Sequence, residues 1–377
     1  MPHSTFDGTS VLIGDDAGLA ASCERWSAAG VIGLDTEFVR ERTYYPRPGL
    51  VQVADETGVV IVDPLRISDF GPLRHLLTDP GVTKLVHSCD EDQDVLELLT
   101  GVTPTGVFDT QLAAAFVGYG FSPSYGHLVE RLLDVVLDKG LTRSDWVKRP
   151  LSAAQLHYAA LDVVYLSHLR ERLSQELATL GRVAWFEEEL EHRRHAWSLG
   201  KQPETAYLRV RRRGALSPPQ HAVLRALSQW REVEAMARDM PRRHLLPDEV
   251  LLALASEPGL DTSSLEHVEG LSERARARYG QAILACIEVA QTEGPTALDA
   301  PISLRPHAGI LTRLKEIVRS EAEKRKLPPE LLASRRMLEA LLISVLTNDR
   351  DTPQEFKGWR FDVVTRALLD SISSPQR

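Results

Sequence analysis

The chain has 377 residues, too many for one ordinary hydrophobic core, so two or three domains are expected. With 43% hydrophobic and 26% charged residues it reads as globular and not disordered, and a formal net charge of −9 argues against binding nucleic acid by bulk charge alone. The opening "MPHSTFDGTS" has neither a basic start nor an apolar core, and no run of about 18 apolar residues occurs, so a cytoplasmic protein with no membrane association is expected. The three cysteines, Cys23, Cys89 and Cys286, are far apart and form no CxxC pair; they are read as buried small apolar residues, not as a disulfide framework or a zinc site.

In chain order, "VIGLDTEFV" (31–39), "GLVQVAD" (49–55) and "GVVIVD" (58–63) are short β-branched runs broken by Gly, Pro and Asp, the last two only two residues apart, and they predict an antiparallel meander. A helical stretch (67–79), an apolar strand "TKLVHS" (83–88) and a helix from about 89 to 99 follow. "VFDTQLAAAFVG" reads as a strand running into a helix, and residues 152–180 as one long amphipathic helix. Mixed antiparallel and βα units of this kind predict an α/β layer fold. Beyond about residue 205 the pattern is all-helical, with a Pro-rich break at 294–309. On its two sides "HLLPDEVLLALAS" and "RKLPPELLAS" resemble each other, consistent with duplication of a small bundle. Acidic residues outnumber basic ones in the first 150 positions, whereas 192–214 is strongly basic, a division that suits an enzyme holding metal ions and acting on a polyanion.

The acids carry the chemistry. "GLDTEF" sets Asp35 and Glu37 two apart on an apolar strand, so both carboxylates project from one face, an arrangement that calls for a compensating cation. In "HSCDEDQDVLELL" the apolar stripe of Val95, Leu96 and Leu99 is centred over Asp92, which makes it the inward acid, with Asp90 and Asp94 turned to solvent. Ser88 and Glu91 have capping-box spacing, and His87 reads as a packed core histidine. Ser152 and Gln155 form a second capping-box pattern, which places His157, Tyr158 and Asp162 inside one helix. Four residues back is roughly 40° around a helix and five back roughly 140°, so Tyr158 shares the face of Asp162 and His157 does not. Asp35, Glu37, Asp92 and Asp162 together make an all-oxygen site suited to Mg²⁺ or Mn²⁺. Four carboxylates can hold two such ions, the arrangement that serves in-line phosphodiester hydrolysis. Tyr158, with a reference pKa of about 10, is suited to orienting the attacking water and not to acting as a base.

At these residues the chain resembles the ribonuclease D family of the DEDD 3′–5′ exonuclease superfamily. "LDTEF", "HSCDEDQDV" and "YAALD" meet its three motifs in order, and "FVRERTYYPRPGLVQVAD", "VFDTQLAAAF" and "LDKGLTRSDWVKRPLS" look like further stretches typical of it. The resemblance implies an RNase H-like exonuclease core in residues 1–205, followed by all-α HRDC-type bundles at 206–294 and, more divergent, at 295–377. It further implies two divalent cations, Mg²⁺ or Mn²⁺, and release of nucleoside 5′-monophosphates from the 3′ ends of structured RNA precursors such as tRNA. Asp35, Glu37, Asp92 and Asp162 match the metal-binding acids and Tyr158 the catalytic tyrosine, which is the mark of the tyrosine subclass. Lys139, Arg143 and Trp146 fall where contact with substrate, hinge motion and packing are all compatible with the pattern. A monomer is expected. The competing expectations are a DNA exonuclease of the same chemistry and a non-catalytic nucleic-acid-binding protein with a relic site.

Overall fold

The computed structural model describes residues 9–137, 144–198, 202–211, 216–257, 259–296, 304–347 and 351–373. The chain divides into two compact units, one formed by residues 1–39, 46–198 and 307–377 and the other by residues 40–45 and 199–306. Among the described residues no helix is long and apolar enough to cross a membrane.

The first unit is built on a mixed six-stranded sheet. Strands β1 (Ser10–Ile13), β2 (Val31–Val39), β3 (Arg47–Asp55), β4 (Gly58–Val62), β5 (Thr83–Val86) and β6 (Val107–Asp109) lie in the order β1-β4-β3-β2-β5-β6. The β2–β3–β4 meander is antiparallel, while β1 on β4, β5 on β2 and β6 on β5 are parallel. Helices α1 (Asp16–Ala29), α2 (Gly71–Thr78) and α3 (Asp90–Thr100) cover one face, where Leu19, Trp26, Leu73 and Leu96 pack on Ile32, Leu34, Val51 and Val53. After α4 (Thr110–Val117) and α5 (Tyr125–Leu133), helices α6 (Ala153–Val164) and α7 (Leu166–Thr179) cover the other face, with Ala159, Val163 and Leu166 on Leu50, Ile61 and Leu85. The period-two alternation of β2 thus sends Ile32 and Leu34 to the α1 side and Gly33, Asp35 and Glu37 to the α6 side.

Gly33 shows how close that second layer comes. A Cβ there would stand 2.9 Å from the Val163 carbonyl oxygen, so a side chain would push α6 off the strand that carries Asp35.

Two local expectations need correction. Residues 152–180 do not form one helix: α6 ends at Val164 and α7 starts at Leu166. Tyr165 sits at the break, and its backbone N–H donates to the Tyr125 hydroxyl at 3.1 Å as well as to the Val163 carbonyl. Nor does Ser88 cap α3. Its φ of 65° turns the chain out of β5, its N–H donates to Asp109 Oδ1 at 3.2 Å, and Cys89 occupies the cap position without a side-chain bond. Of the cysteines, Cys23 and Cys89 are buried but Cys286 is only partly so.

The second unit is helical, with α9 (Pro218–Ala237), α10 (Arg242–Leu245), α11 (Asp248–Ser256) and α12 (Glu273–Glu293) following α8 (Val183–Ser198) of the first unit. Its core joins Leu224, Leu227, Leu251, Leu254 and Ile283 to Tyr44, whose hydroxyl donates to the buried Glu232 at 2.5 Å.

Helices α13 (Ala308–Arg325), α14 (Pro329–Leu332), α15 (Arg335–Leu346) and α16 (Arg366–Ser373) belong to the first unit. Arg182 donates to the Phe116 and Arg325 carbonyls, and Trp359 stacks on Trp185 with ring centroids 5.5 Å apart. Arg360 pairs with Glu189 at 2.5 Å, both nearly enclosed, and also donates to the Leu331 carbonyl. Removing one member of such a pair strands a buried charge at a cost of about 3–5 kcal/mol. Gly358 has a φ of +60° beside the Glu188 carboxylate, which accepts the Trp359 N–H; a Cβ at this glycine would overlap that carboxylate.

Candidate active site

Three elements bring the predicted acids to one place. Asp35 and Glu37 extend from β2 and Asp162 from the last turn of α6, and the three offer carboxylate oxygens all within 4.8 Å of one another. Asp92 lies in the first turn of α3, where the helix dipole favours an anion. Its Oδ1 accepts the backbone N–H of Thr36 at 3.2 Å and the Thr36 hydroxyl at 2.5 Å, which ties α3 to the strand between the two acids of β2. Asp92 therefore stands beside the three-carboxylate cluster, facing Thr36. The neighbouring acids do other work: Asp90 accepts the Trp197 indole N–H at 2.8 Å, Glu91 is exposed, and Asp94 is half-buried, not turned fully to solvent.

The Ser152 capping box forms, and within α6 His157 is exposed while Tyr158 is half-buried on the side of Asp162. Tyr158 leans on Trp146, with ring centroids 6.0 Å apart, and Trp146 is buried against Gly49, so its role is packing. Lys139 and Arg143 lie outside the described residues. His87 is held in place, with Nδ1 2.9 Å from Thr110 Oγ1 and Nε2 3.1 Å from the Pro123 carbonyl.

Crowding partly buried anions together shifts every titration upward. Burial first, and then Asp92, Asp162 and Glu37, hold Asp35 well above the usual carboxylate range. Burial followed by Asp162 and Asp92 lifts Glu37 to about 8, and burial with Asp92 lifts Asp162 to about 7. Asp92 rises only to about 6, because the Thr36 hydrogen bonds offset part of its burial. Burial and then the charge of Asp162 raise Tyr158 above its ordinary value, so at neutral pH it is a neutral phenol with a hydrogen to donate. Hard carboxylate oxygens that repel one another fit a divalent cation.

Sequence reasoning missed the residues that hold these groups. Thr36 is one, with no signal beyond its place between two acids. Asp109 is another: it is fully buried, caps α4 through the Gln111 and Leu112 N–H groups and accepts the Ser88 N–H, and its signal was the Asp-Thr-Gln cap pattern. Tyr125, beneath the α6–α7 break, gave none.

The class follows from comparison with known families. A 3′-5′ exonuclease family matches residues 11–178, an HRDC domain matches 220–287, and the family "Ribonuclease D, C-terminal HRDC domain" matches 308–368. Ribonuclease D of Pseudomonas paraeruginosa strain PA7 is 38% identical over 369 residues, covering 96% of this chain and 97% of that protein. Ribonuclease D of Escherichia coli K12 is 34% identical over 366 residues, covering 95% of this chain and 96% of that one. The crystal structure of Escherichia coli RNase D, described as an exoribonuclease involved in structured RNA processing, superposes with a TM-score of 0.87 at 33% identity, covering 98% of this chain and 100% of that one. The fold and the site define a 3′–5′ exonuclease of the DEDD type. More narrowly, the chain belongs to the ribonuclease D family of 3′–5′ exoribonucleases.

The raised pKa values set a pH dependence. Unfolded carboxylates titrate near 4, whereas the folded cluster keeps protons up to about 8 at Glu37 and about 7 at Asp162. Between these limits the folded state binds more protons than the unfolded one, so stability in EDTA falls as pH rises, and the share of Glu37 and Asp162 in that loss is complete above about 8. A divalent cation held by these carboxylates would offset it. The rise in melting temperature on adding Mg²⁺ or Mn²⁺ is expected to grow from pH 5 to pH 8.5, measured by differential scanning fluorimetry. A cation-induced rise that did not vary with pH would contradict this picture.

Proposed function

We propose that the chain trims the 3′ ends of structured RNA precursors, 3′-extended tRNA among them, releasing nucleoside 5′-monophosphates, and that it works as a monomer in the cytoplasm. The observation that carries the reading is the carboxylate cluster of Asp35, Glu37 and Asp162 with the Tyr158 phenol on the same helix face as Asp162. Asp35, Glu37, Asp92 and Asp162 would hold two divalent ions, Mg²⁺ or Mn²⁺. When bound, these supply charge compensation for the phosphate and an acidified water. Tyr158 donates its hydroxyl hydrogen bond to orient the attacking water, and Thr36 holds Asp92 in reach of the cluster. The division of labour follows the modules: cleavage in residues 1–205, RNA grip in 206–294, and support of the nuclease by 295–377.

Support for the grip lies in a cavity of about 790 Å³ in the helical unit, lined in part by Arg40, Arg209, Arg231, Arg242 and Arg243. Four acids, Glu41, Glu232, Asp248 and Glu249, line it too: Arg209 and Arg242 share the buried Glu232 at 3.3 and 2.5 Å, Arg231 pairs with Asp248 at 2.8 Å, and Arg243, exposed at the rim, is the cation placed to meet a phosphate. Arg243→Glu is expected to weaken binding of structured RNA and to lower the slope of binding against salt by roughly one phosphate contact. Hydrolysis of a short unstructured oligonucleotide should stay near wild type. A filter-binding salt series alongside a short-substrate assay reads both, and equal loss in the two would show a folding defect instead.

The test of the whole reading is a time course on a 3′-extended tRNA precursor and its DNA counterpart with Mg²⁺, with Mn²⁺ and with EDTA. Stepwise loss of 5′-monophosphates from the RNA, abolished by EDTA, is expected. Equal degradation of the DNA would indicate a nuclease indifferent to sugar, and binding without hydrolysis under any metal would leave only a binding protein.

A further inference from the structure

Gln52, in β3, is fully buried, and neither its amide nitrogen nor its carbonyl oxygen has a hydrogen-bond partner among the described residues. A buried carboxamide with both ends unmet bears the desolvation penalty of each, whereas a methionine or leucine of similar volume would bear none. Its place in the sheet says what it is for. Gln52 lies directly opposite Asp35 in the antiparallel register, and residues opposite each other share a face with Cβ atoms about 4.5–5.5 Å apart. On that face the β3 neighbours are Leu50, opposite Glu37, and Ala54, opposite Gly33, and on the far side β4 presents Ile61. Leu50, Ala54 and Ile61 all pack in the apolar layer under α6, so the one polar side chain of the row is the one that faces Asp35.

We infer that Gln52 is a positioning residue for the cation site. Across one trapped water its Nε2–H would reach the Asp35 carboxylate, and so fix that carboxylate in the orientation in which it would ligate a cation. A carboxamide suits this task because it donates without adding charge to a cluster that already carries too much. An arginine or lysine there would compete with the cation, and a hydroxyl on a shorter side chain would not reach. The inference rests on the reading of Asp35, Glu37 and Asp162 as cation ligands.

The test measures cation binding apart from turnover. Gln52→Met keeps the length and bulk of the side chain and removes both polar atoms, with Gln52→Leu as a second variant should Met pack poorly. Melting temperature in EDTA is expected to be unchanged or higher, because two unmet polar groups are gone. The Mn²⁺ dissociation constant, by titration calorimetry or by the free-ion electron paramagnetic resonance signal, is expected to rise 10–100-fold, the usual effect of losing a group that orients a ligand. Asp162→Asn serves as the control. If it weakens Mn²⁺ binding while Gln52→Met and Gln52→Leu bind as wild type does, Gln52 has no positioning role, and a lowered melting temperature without weaker Mn²⁺ binding overturns the inference equally. If Asp162→Asn also binds Mn²⁺ normally, the cation reading fails and this inference falls with it.

Discussion

Asp35→Asn and Asp162→Asn are each expected to abolish RNA hydrolysis, with a loss of about 1000-fold or more, while leaving the fold intact. Each carboxylate is one of three whose oxygens lie within 4.8 Å of one another, so neither can be removed without opening the cluster. Several kcal/mol of charge stabilisation depend on a correctly held cation, and every 1.36 kcal/mol is tenfold in rate. The amide keeps the shape of the side chain and discards its charge. Because burial and neighbouring anions hold both residues above the ordinary carboxylate range, removing one charge relieves repulsion, and the variants should melt higher than wild type in EDTA at pH 8. Loss of activity together with a raised melting temperature is the signature of a site that sacrifices stability for metal binding. Turnover at the wild-type level with Mg²⁺ in either variant would sink the assignment.

Much of that site was legible because it is local. A strand has period two, so an Asp-Thr-Glu run on an apolar strand shows which side chains travel together, and the capping box at Ser152 and Gln155 set the phase of the helix that carries Tyr158 and Asp162. The phase of α3 likewise turned Asp92 inward, where Thr36 meets it. What escaped depends on partners far away in sequence. The capping pattern at Ser88 is sound by itself and fails because the Asp109 carboxylate takes the Ser88 N–H. The helix over 152–180 has an unbroken amphipathic pattern, yet the Tyr125 hydroxyl, 40 residues earlier, supports a break at Tyr165. No periodicity pairs Glu189 with Arg360, 171 residues apart, or tells that the last helices join the unit containing the sheet. Local pattern specifies which face a side chain takes, and only the tertiary structure specifies what it meets there.

Tyr158 and His157 are adjacent in sequence and should behave as unrelated residues. Tyr158→Phe removes one hydroxyl and leaves the ring on Trp146, so substrate affinity and melting temperature should hardly change. The rate of cleavage is expected to fall by roughly 10–1000-fold, the scale of losing one positioned hydrogen bond or acid–base group in the transition state. The direction of the pKa shift supports a donor: burial and the charges of Asp162, Glu37 and Asp35 all keep the phenol protonated, so its loss should not remove a basic limb from the pH–rate profile. His157 is exposed on α6, roughly 140° around the helix from Asp162. His157→Ala should stay within a few-fold of wild type. Single-turnover kinetics at saturating enzyme would separate the chemical step from binding for both variants. A silent Tyr158→Phe beside a crippled His157→Ala would require α6 to turn by about one residue, 100° on a helix, and the Ser152 capping box that sets its phase would then have to be broken in the working enzyme.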